Sequence, residues 1–268
     1  MEHILTKLSR RYPQLLFPIS SGISKTREYR DAVYYGKNRE GFLDFSMSKK
    51  DRYYLVDTPV GTAELILFSE RKDFEKCVCA LANRCEPKVI PETVSAFMIS
   101  GLINWEEARK HHNEQMKKDC YDRIILLCSG WYSGVSPEKV GLPNQDWLEK
   151  SIIIRMYHEI AHFVCRSLYP NNIDSIRDEV FADMIGMIMA FGNYDYHRAK
   201  LFLGIDDTEI LDNARIRYYL NNQKETSVIN EVEFWISWLR ERQNCTTGDI
   251  FELMIRTFDE MVCVTRSF

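Results

Sequence analysis

Between Trp147 and Leu168 the chain reads WLEKSIIIRMYHEIAHFVCRSL, without a proline or a glycine. Ile152, Ile153, Ile154, Met156, Ile160, Ala161, Phe163 and Val164 fall almost all round a helical projection, so this stretch predicts a buried helix rather than a surface one. Asp146 followed by Glu149 has the spacing of a capping box and predicts where it starts. Pro170, Asn171 and Asn172 end it. A second helix is expected from Asp174 or Ser175 through Ala190, with Gly192 as its stop. Beyond it, helical patterns cover Tyr196–Leu203, Ile210–Leu220, Val228–Arg242 and Asp249–Val262.

The chain before this helix is mixed. Gly61–Phe68 alternates and then runs apolar, as a strand does, and Arg123–Cys128 is a short continuous apolar run of the kind found in buried strands. Glu70–Asn83 carries helical spacing through Phe74, Cys77, Val78 and Leu81, and Trp105–Lys118 reads as a charged helix. Gly130, Gly134 and Pro137 break the chain into a loop. The expected fold class is therefore α+β with helices dominant. An N-terminal mixed lobe with a small sheet, residues 1–168, ends in the long helix, and a helical lobe, residues 169–268, comes after it. The two are expected to form one functional unit.

Length and composition narrow the function classes. The 268 residues are 45% hydrophobic and 28% charged, the balance of a globular protein with a sizeable core. The net charge is −4, and although the first 53 residues carry 11 Lys/Arg against 6 Asp/Glu, no global positive field exists to hold nucleic acid. No apolar run reaches the ~18–20 residues of a membrane span. Lys7, Arg10 and Arg11 lead into Tyr12-Pro13-Gln14 rather than an apolar signal core. Eight cysteines without a dense framework pattern suit reduced thiols, so a cytoplasmic location is expected.

Within the long helix, Tyr157-His158-Glu159-Ile160-Ala161-His162 carries the chemistry. Residues four apart lie one turn along the same face, so His158 and His162 can turn two imidazoles toward one ion. This is the HExxH zinc-site signature, in which Glu159, one position round from His158, reaches a metal-activated water without ligating. A catalytic zinc site needs a third protein ligand. Cys165 is too far from His158, about 10.5 Å along the axis, to share an ion with it, and reads as a structural thiol. Glu179, 17 residues after His162, is the better candidate, because the gap is long enough to finish one helix, turn, and lay a second helix across the first. Asp183, four residues beyond Glu179, faces the same way and is expected to accept the N–H of a liganding imidazole.

His158-Glu159-Ile160-Ala161-His162 followed by Glu179-Val180-Phe181-Ala182-Asp183 resembles the gluzincin class of zinc metallopeptidases, which carry HExxH on one helix and ExxxD on the next. The resemblance covers about 40 residues, Trp147 to Ala190. It departs from the thermolysin pattern in a slightly shorter spacing between the motifs and in Asp178, where an Asn often precedes the ligand Glu. It implies a zincin-like fold, a short mixed sheet before the first motif helix to which Arg123–Cys128 would belong, and a cleft between the lobes. It implies Zn2+ held by His158, His162 and Glu179, with Asp183 behind a ligand, and hydrolysis of a peptide or protein substrate with Glu159 as general base. An oxyanion donor would come from His197, Arg215, Arg217, Tyr218 or Tyr219. Two other readings share these residues. One is a non-catalytic zinc-binding sensor or interaction protein that retains the site. The other is a di-iron oxidoreductase, for which Glu159-x-x-His162 would need a second such element that the chain lacks. Cys77, Cys79 and Cys85 read as core thiols, His111-His112 as a solvent-exposed pair, and Gly130–Gly134 lacks the pattern of a phosphate loop.

Overall fold

A computed structural model describes residues 2–37, 48–111, 118–172, 174–206, 209–220, 222–242 and 249–265. Two compact units divide the chain: Met1–Val56 with Thr62–Ser129, and Asp57–Gly61 with Gly130–Phe268. The fold is α+β and rich in helix. The boundary expected after residue 168 moves to 129/130. The HExxH helix belongs with the helices C-terminal to it, because its apolar face is covered by the next helix along the chain.

The first unit contains helices α1 (Glu2–Arg11) and α2 (Arg27–Val33), most of strands β1 (Arg52–Thr58) and β2 (Gly61–Phe68), helix α3 (Arg71–Ala82), strand β3 (Ala96–Ile103), the short helix α4 (Trp105–Ala108) and strand β4 (Tyr121–Cys128). The sheet order is β1-β2-β4-β3, with β2 parallel to β4 and β3 antiparallel to it. Leu65–Phe68 and Ile124–Cys128 are buried without alternation, the pattern of strands covered on both faces. Phe74, Cys77, Val78 and Leu81 on α3 join Ile66, Phe68, Ile124 and Leu126 in the core, together with Leu8, Tyr12 and Leu15. Gly101, at φ +73°, forms the bulge that shifts the register of β3 between Ser100 and Leu102. The helix expected over Trp105–Lys118 stops at Ala108. Its cap, Asn104, accepts the Glu107 N–H, but no apolar stripe continues it, and the backbone tightens into a 3-10 turn at Arg109–His111. His111 is half-buried, whereas His112 lies outside the described residues.

The second unit contains α5 (Pro137–Val140), α6 (Asn144–Leu168), α7 (Ser175–Phe191), α8 (Tyr196–Leu203), a two-stranded ribbon of β5 (Ile205–Asp206) and β6 (Glu209–Ile210), a 3-10 turn at Arg215–Tyr219, then α9 (Glu225–Glu241) and α10 (Ile250–Thr265). α6 starts two residues before Asp146, with Pro143 at its cap, so Asp146 sits in the first turn and the Asp146/Glu149 capping box does not form. Asp174 caps α7, accepting the N–H groups of Ile176 and Arg177. The helix expected over Ile210–Leu220 is instead the end of the ribbon and the 3-10 turn, where Arg217 ties to the carbonyls of Ile210 and Leu211. Trp147 stacks on Phe202 and Phe191, and Phe258 meets Phe181, filling the core around α6 and α7. No helix among the described residues is long and apolar enough to cross a membrane.

Candidate metal centre

The pairing of α6 with α7 places the motif residues. Gly186 lies where a Cβ would sit 2.6 Å from the Ile154 carbonyl oxygen, so only glycine lets the two backbones come this close. Gly186 is seven residues beyond Glu179 and Ile154 is four before His158, so this contact sets the helix spacing next to the site. Ile154, Ile160, Val164 and Ile185 are fully buried around it, each adding roughly 1.5–3 kcal/mol of burial.

His158 and His162 face each other with ring centroids 4.7 Å apart and planes at 84°. Their Nε2 atoms are 3.1 Å apart, and Glu179 reaches both, Oε1 to His162 Nε2 at 3.1 Å and Oε2 to His158 Nε2 at 3.3 Å. Ligands held at roughly 2.0 Å by a tetrahedral ion stand about 3.3 Å from one another. The observed triangle therefore has the edges of one face of such a site. His158, His162 and Glu179 are 6, 5 and 4% exposed, so none of their polar atoms can rely on bulk water. Glu179 Oε2 accepts no hydrogen bond. Two imidazole nitrogens and a carboxylate oxygen with an unused lone pair suit a cation of the zinc type. Among the described residues this is the one group of three His, Cys, Asp or Glu able to converge on an ion. Cys77, Cys79, Cys85 and Cys165 are buried free thiols outside it.

Behind the triangle lies a second layer. Asp183 Oδ1 is 2.9 Å from His158 Nδ1, so accepting that N–H leaves the Nε2 lone pair directed at Glu179 and His162. Tyr132 donates its hydroxyl to the same Asp183 oxygen at 2.5 Å and lies 3.0 Å from His158 Nδ1. Arg215 donates one N–H to Tyr132 Oη at 2.7 Å and another to Asp183 Oδ2, and its Nη1 is 3.8 Å from Glu179 Oε2. The backbone N–H of Tyr132 is tied to Ser151 Oγ on α6, which fixes the loop that carries it.

Electrostatics follow from this crowding. Burial works against the His158 charge, yet Glu179 and then Asp183 outweigh it and hold the metal-free imidazolium at about 9. Burial pushes Glu179 upward, but the charges of His162 and His158 prevail and keep its carboxyl well below the usual range. Asp183 is also lowered, because Arg215 and His158 overcome its desolvation.

Of the residues expected at the site, His158, His162, Glu179 and Asp183 come together. Glu159 is half-buried on the same turn of α6. Among the donors left open by sequence, Tyr219 lies in the field of Glu179 and Glu159, and burial raises its phenol. Arg215 sits behind the three converging side chains, against Asp183 and Tyr132. His197 and Tyr218 are exposed, and Arg217 pairs with Glu225. Sequence reasoning misses Tyr132. It lies in the Gly-rich stretch before α5, and only its position against Ser151 reveals its role.

The chain matches the family described as "Family of unknown function (DUF7005)" over residues 2–233, a span that includes every residue of this centre, and it belongs to that family. No curated protein and no solved structure matches it.

Proposed function

We propose that this protein is a zinc-dependent metallopeptidase of the gluzincin kind, with a zincin-like catalytic fold, acting on a peptide or protein substrate. The observation that carries the proposal is the triangle of His158 Nε2, His162 Nε2 and Glu179 carboxylate oxygens, with edges of 3.1–3.3 Å. Zinc bound there supplies Lewis acidity, lowering the pKa of water toward ~7 and polarising the scissile carbonyl. His158, His162 and Glu179 would hold it, and Asp183 fixes the His158 ring. Glu159 takes the proton of the attacking water and returns it to the departing amine nitrogen. The Tyr219 phenol, kept protonated, donates to the oxygen that gains charge.

The presence of Glu159 beside the ligands favours hydrolysis over a zinc-binding sensor or interaction role, which would need the ligands alone. A single three-residue cluster among the described residues gives no support to a two-iron centre. Metal-dependent cleavage of a peptide library tests the proposal. Glu159→Gln should slow cleavage by about 10²–10⁴-fold while zinc stays bound. Cleavage at the wild-type rate by that variant would remove Glu159 from the base role, and no cleavage by the zinc-loaded wild type would leave the sensor reading.

A further inference from the structure

Arg215 is the charged group beside the metal centre to which the proposed hydrolysis gives no task. It opens the 3-10 turn Arg215–Tyr219, where buried Ile216 and the ties from Arg217 to the Ile210 and Leu211 carbonyls hold the chain. From there its guanidinium reaches back 83 and 32 residues, donating one N–H to Tyr132 Oη and another to Asp183 Oδ2. Two donations at once, to two acceptors, use the planar fork of arginine. Its charge, by contrast, works against the centre. Nη1 lies 3.8 Å from Glu179 Oε2, and a cation that close repels a divalent ion.

Hydrogen-bond direction supplies a use for the fork. A guanidinium donates, never accepts and keeps its proton, so Tyr132 Oη and Asp183 Oδ2 must both accept from it. The single hydroxyl hydrogen of Tyr132 then has two receivers in reach, Asp183 Oδ1 at 2.5 Å and His158 Nδ1 at 3.0 Å. Given to Nδ1, it would set a lone pair of Oη against a lone pair of Oδ1 at 2.5 Å, a repulsive contact. Given to Oδ1, it satisfies that contact, and Nδ1, 2.9 Å from the same oxygen, must bring a hydrogen of its own. A neutral imidazole with its hydrogen on Nδ1 carries its lone pair on Nε2, the atom that faces His162 and Glu179. Asp183 and Tyr132 are only 1 and 4% exposed, so bulk water does not compete for these bonds.

We infer that Arg215 is a positioning residue of the metal centre: its fork sets the hydrogen-bond direction through Tyr132 and Asp183, and so holds His158 in the tautomer whose Nε2 is open to an ion. This role rests on the metal centre proposed above and not on peptide hydrolysis.

Zinc affinity, measured by competition with a chromophoric chelator, tests this alongside the Tm of the metal-free chains. Arg215→Lys keeps the cation and loses the fork, whereas Arg215→Met loses both. Each should weaken zinc binding about tenfold, the cost of disturbing a group that orients a ligand. Tyr132→Phe combined with Arg215→Lys should lose closer to about tenfold than to the roughly 100-fold of independent sites, because both act on the same Asp183–His158 contact. Were charge the whole role, Arg215→Lys would bind zinc like the wild type and Arg215→Met would bind it more tightly. Were the role one of folding alone, Tm would fall with zinc affinity unchanged. Either result overturns the inference, and so do fully multiplicative losses in the double variant. If Arg215→Met does not fold, Arg215→Lys and the double variant decide. A wild-type chain that binds zinc but cleaves no peptide sinks the hydrolase reading alone, whereas one that takes up no zinc removes the centre and this role with it.

Discussion

Each unit gathers a cluster of charges out of bulk water, wholly in the second and partly in the first, and the two are built on different logic. In the first, Arg11 donates to both oxygens of Glu64 and to Asp122, while Tyr12 and Tyr53 add hydroxyls to Asp122 and Glu64. Donors and acceptors match, so the cluster closes on itself, and no ion is needed to explain it. In the second, two imidazole nitrogens and a carboxylate converge on one another and Glu179 Oε2 has no hydrogen-bond donor. The first is partly buried and the second buried, and both carry Arg, Tyr and carboxylates, so burial and charge alone do not mark a functional site. The mark is convergence of lone pairs without a matching set of N–H and O–H groups.

Substitutions sharpen this contrast. His158→Ala or Glu179→Ala should weaken zinc binding by more than about 100-fold, since altering residues that only support the ligands already costs 10–100-fold. Competition against a chromophoric chelator measures it. Arg11→Met should do the opposite, leaving zinc affinity unchanged while costing about 2–3 kcal/mol of stability in a denaturant titration, because two acidic groups lose their partner. If Arg11→Met altered zinc affinity, or His158→Ala left it intact, the two clusters would not differ in this way.

Tyr132→Phe keeps the ring against Phe202 and His158 but removes the hydroxyl held by Asp183. Zinc affinity should fall about tenfold, with little loss of stability. A smaller effect distinguishes the metal-free state. The raised His158 adds stability that is complete below its ordinary 6.5 and is lost as pH rises through about 9. The lowered Glu179 adds stability present above its ordinary 4.5 and lost as pH falls. Metal-free Tm should therefore decline between pH 6.5 and 9, and zinc binding at pH 7 should release roughly one proton, seen by calorimetry in buffers of different ionisation enthalpy. A flat Tm profile and no proton release would mean that His158 is neutral before the metal arrives.

The sequence made part of this legible for local reasons. HExxH and ExxxD each lie on one continuous helix, where a four-residue spacing fixes a shared face, so the convergence of His158, His162, Glu179 and Asp183 could be read directly. The same periodicity located β2, α3, α7 and α8. Tyr132 and Arg215 come from a loop and a 3-10 turn, where no period links position to direction, and they meet only through packing against α6 and α7. Sequence spacing between them, 83 residues, carries no signal. The described parts of the expected helices, 109–111 and 210–220, depart from α-helix for one cause: these are charged or mixed segments held by tertiary hydrogen bonds of their arginine side chains, such as those from Arg109 to Ala32 and Val33 and from Arg217 to Leu211. The capping box at Asp146 failed because Pro143 already starts the helix.

The most direct test is elemental analysis of the protein purified without added metal, alongside His158→Ala and Glu179→Ala. The expected result is one zinc per wild-type chain and close to none in either variant. Wild-type protein without zinc that also fails to take it up on dialysis, or variants that retain a full equivalent, would contradict the metal centre itself.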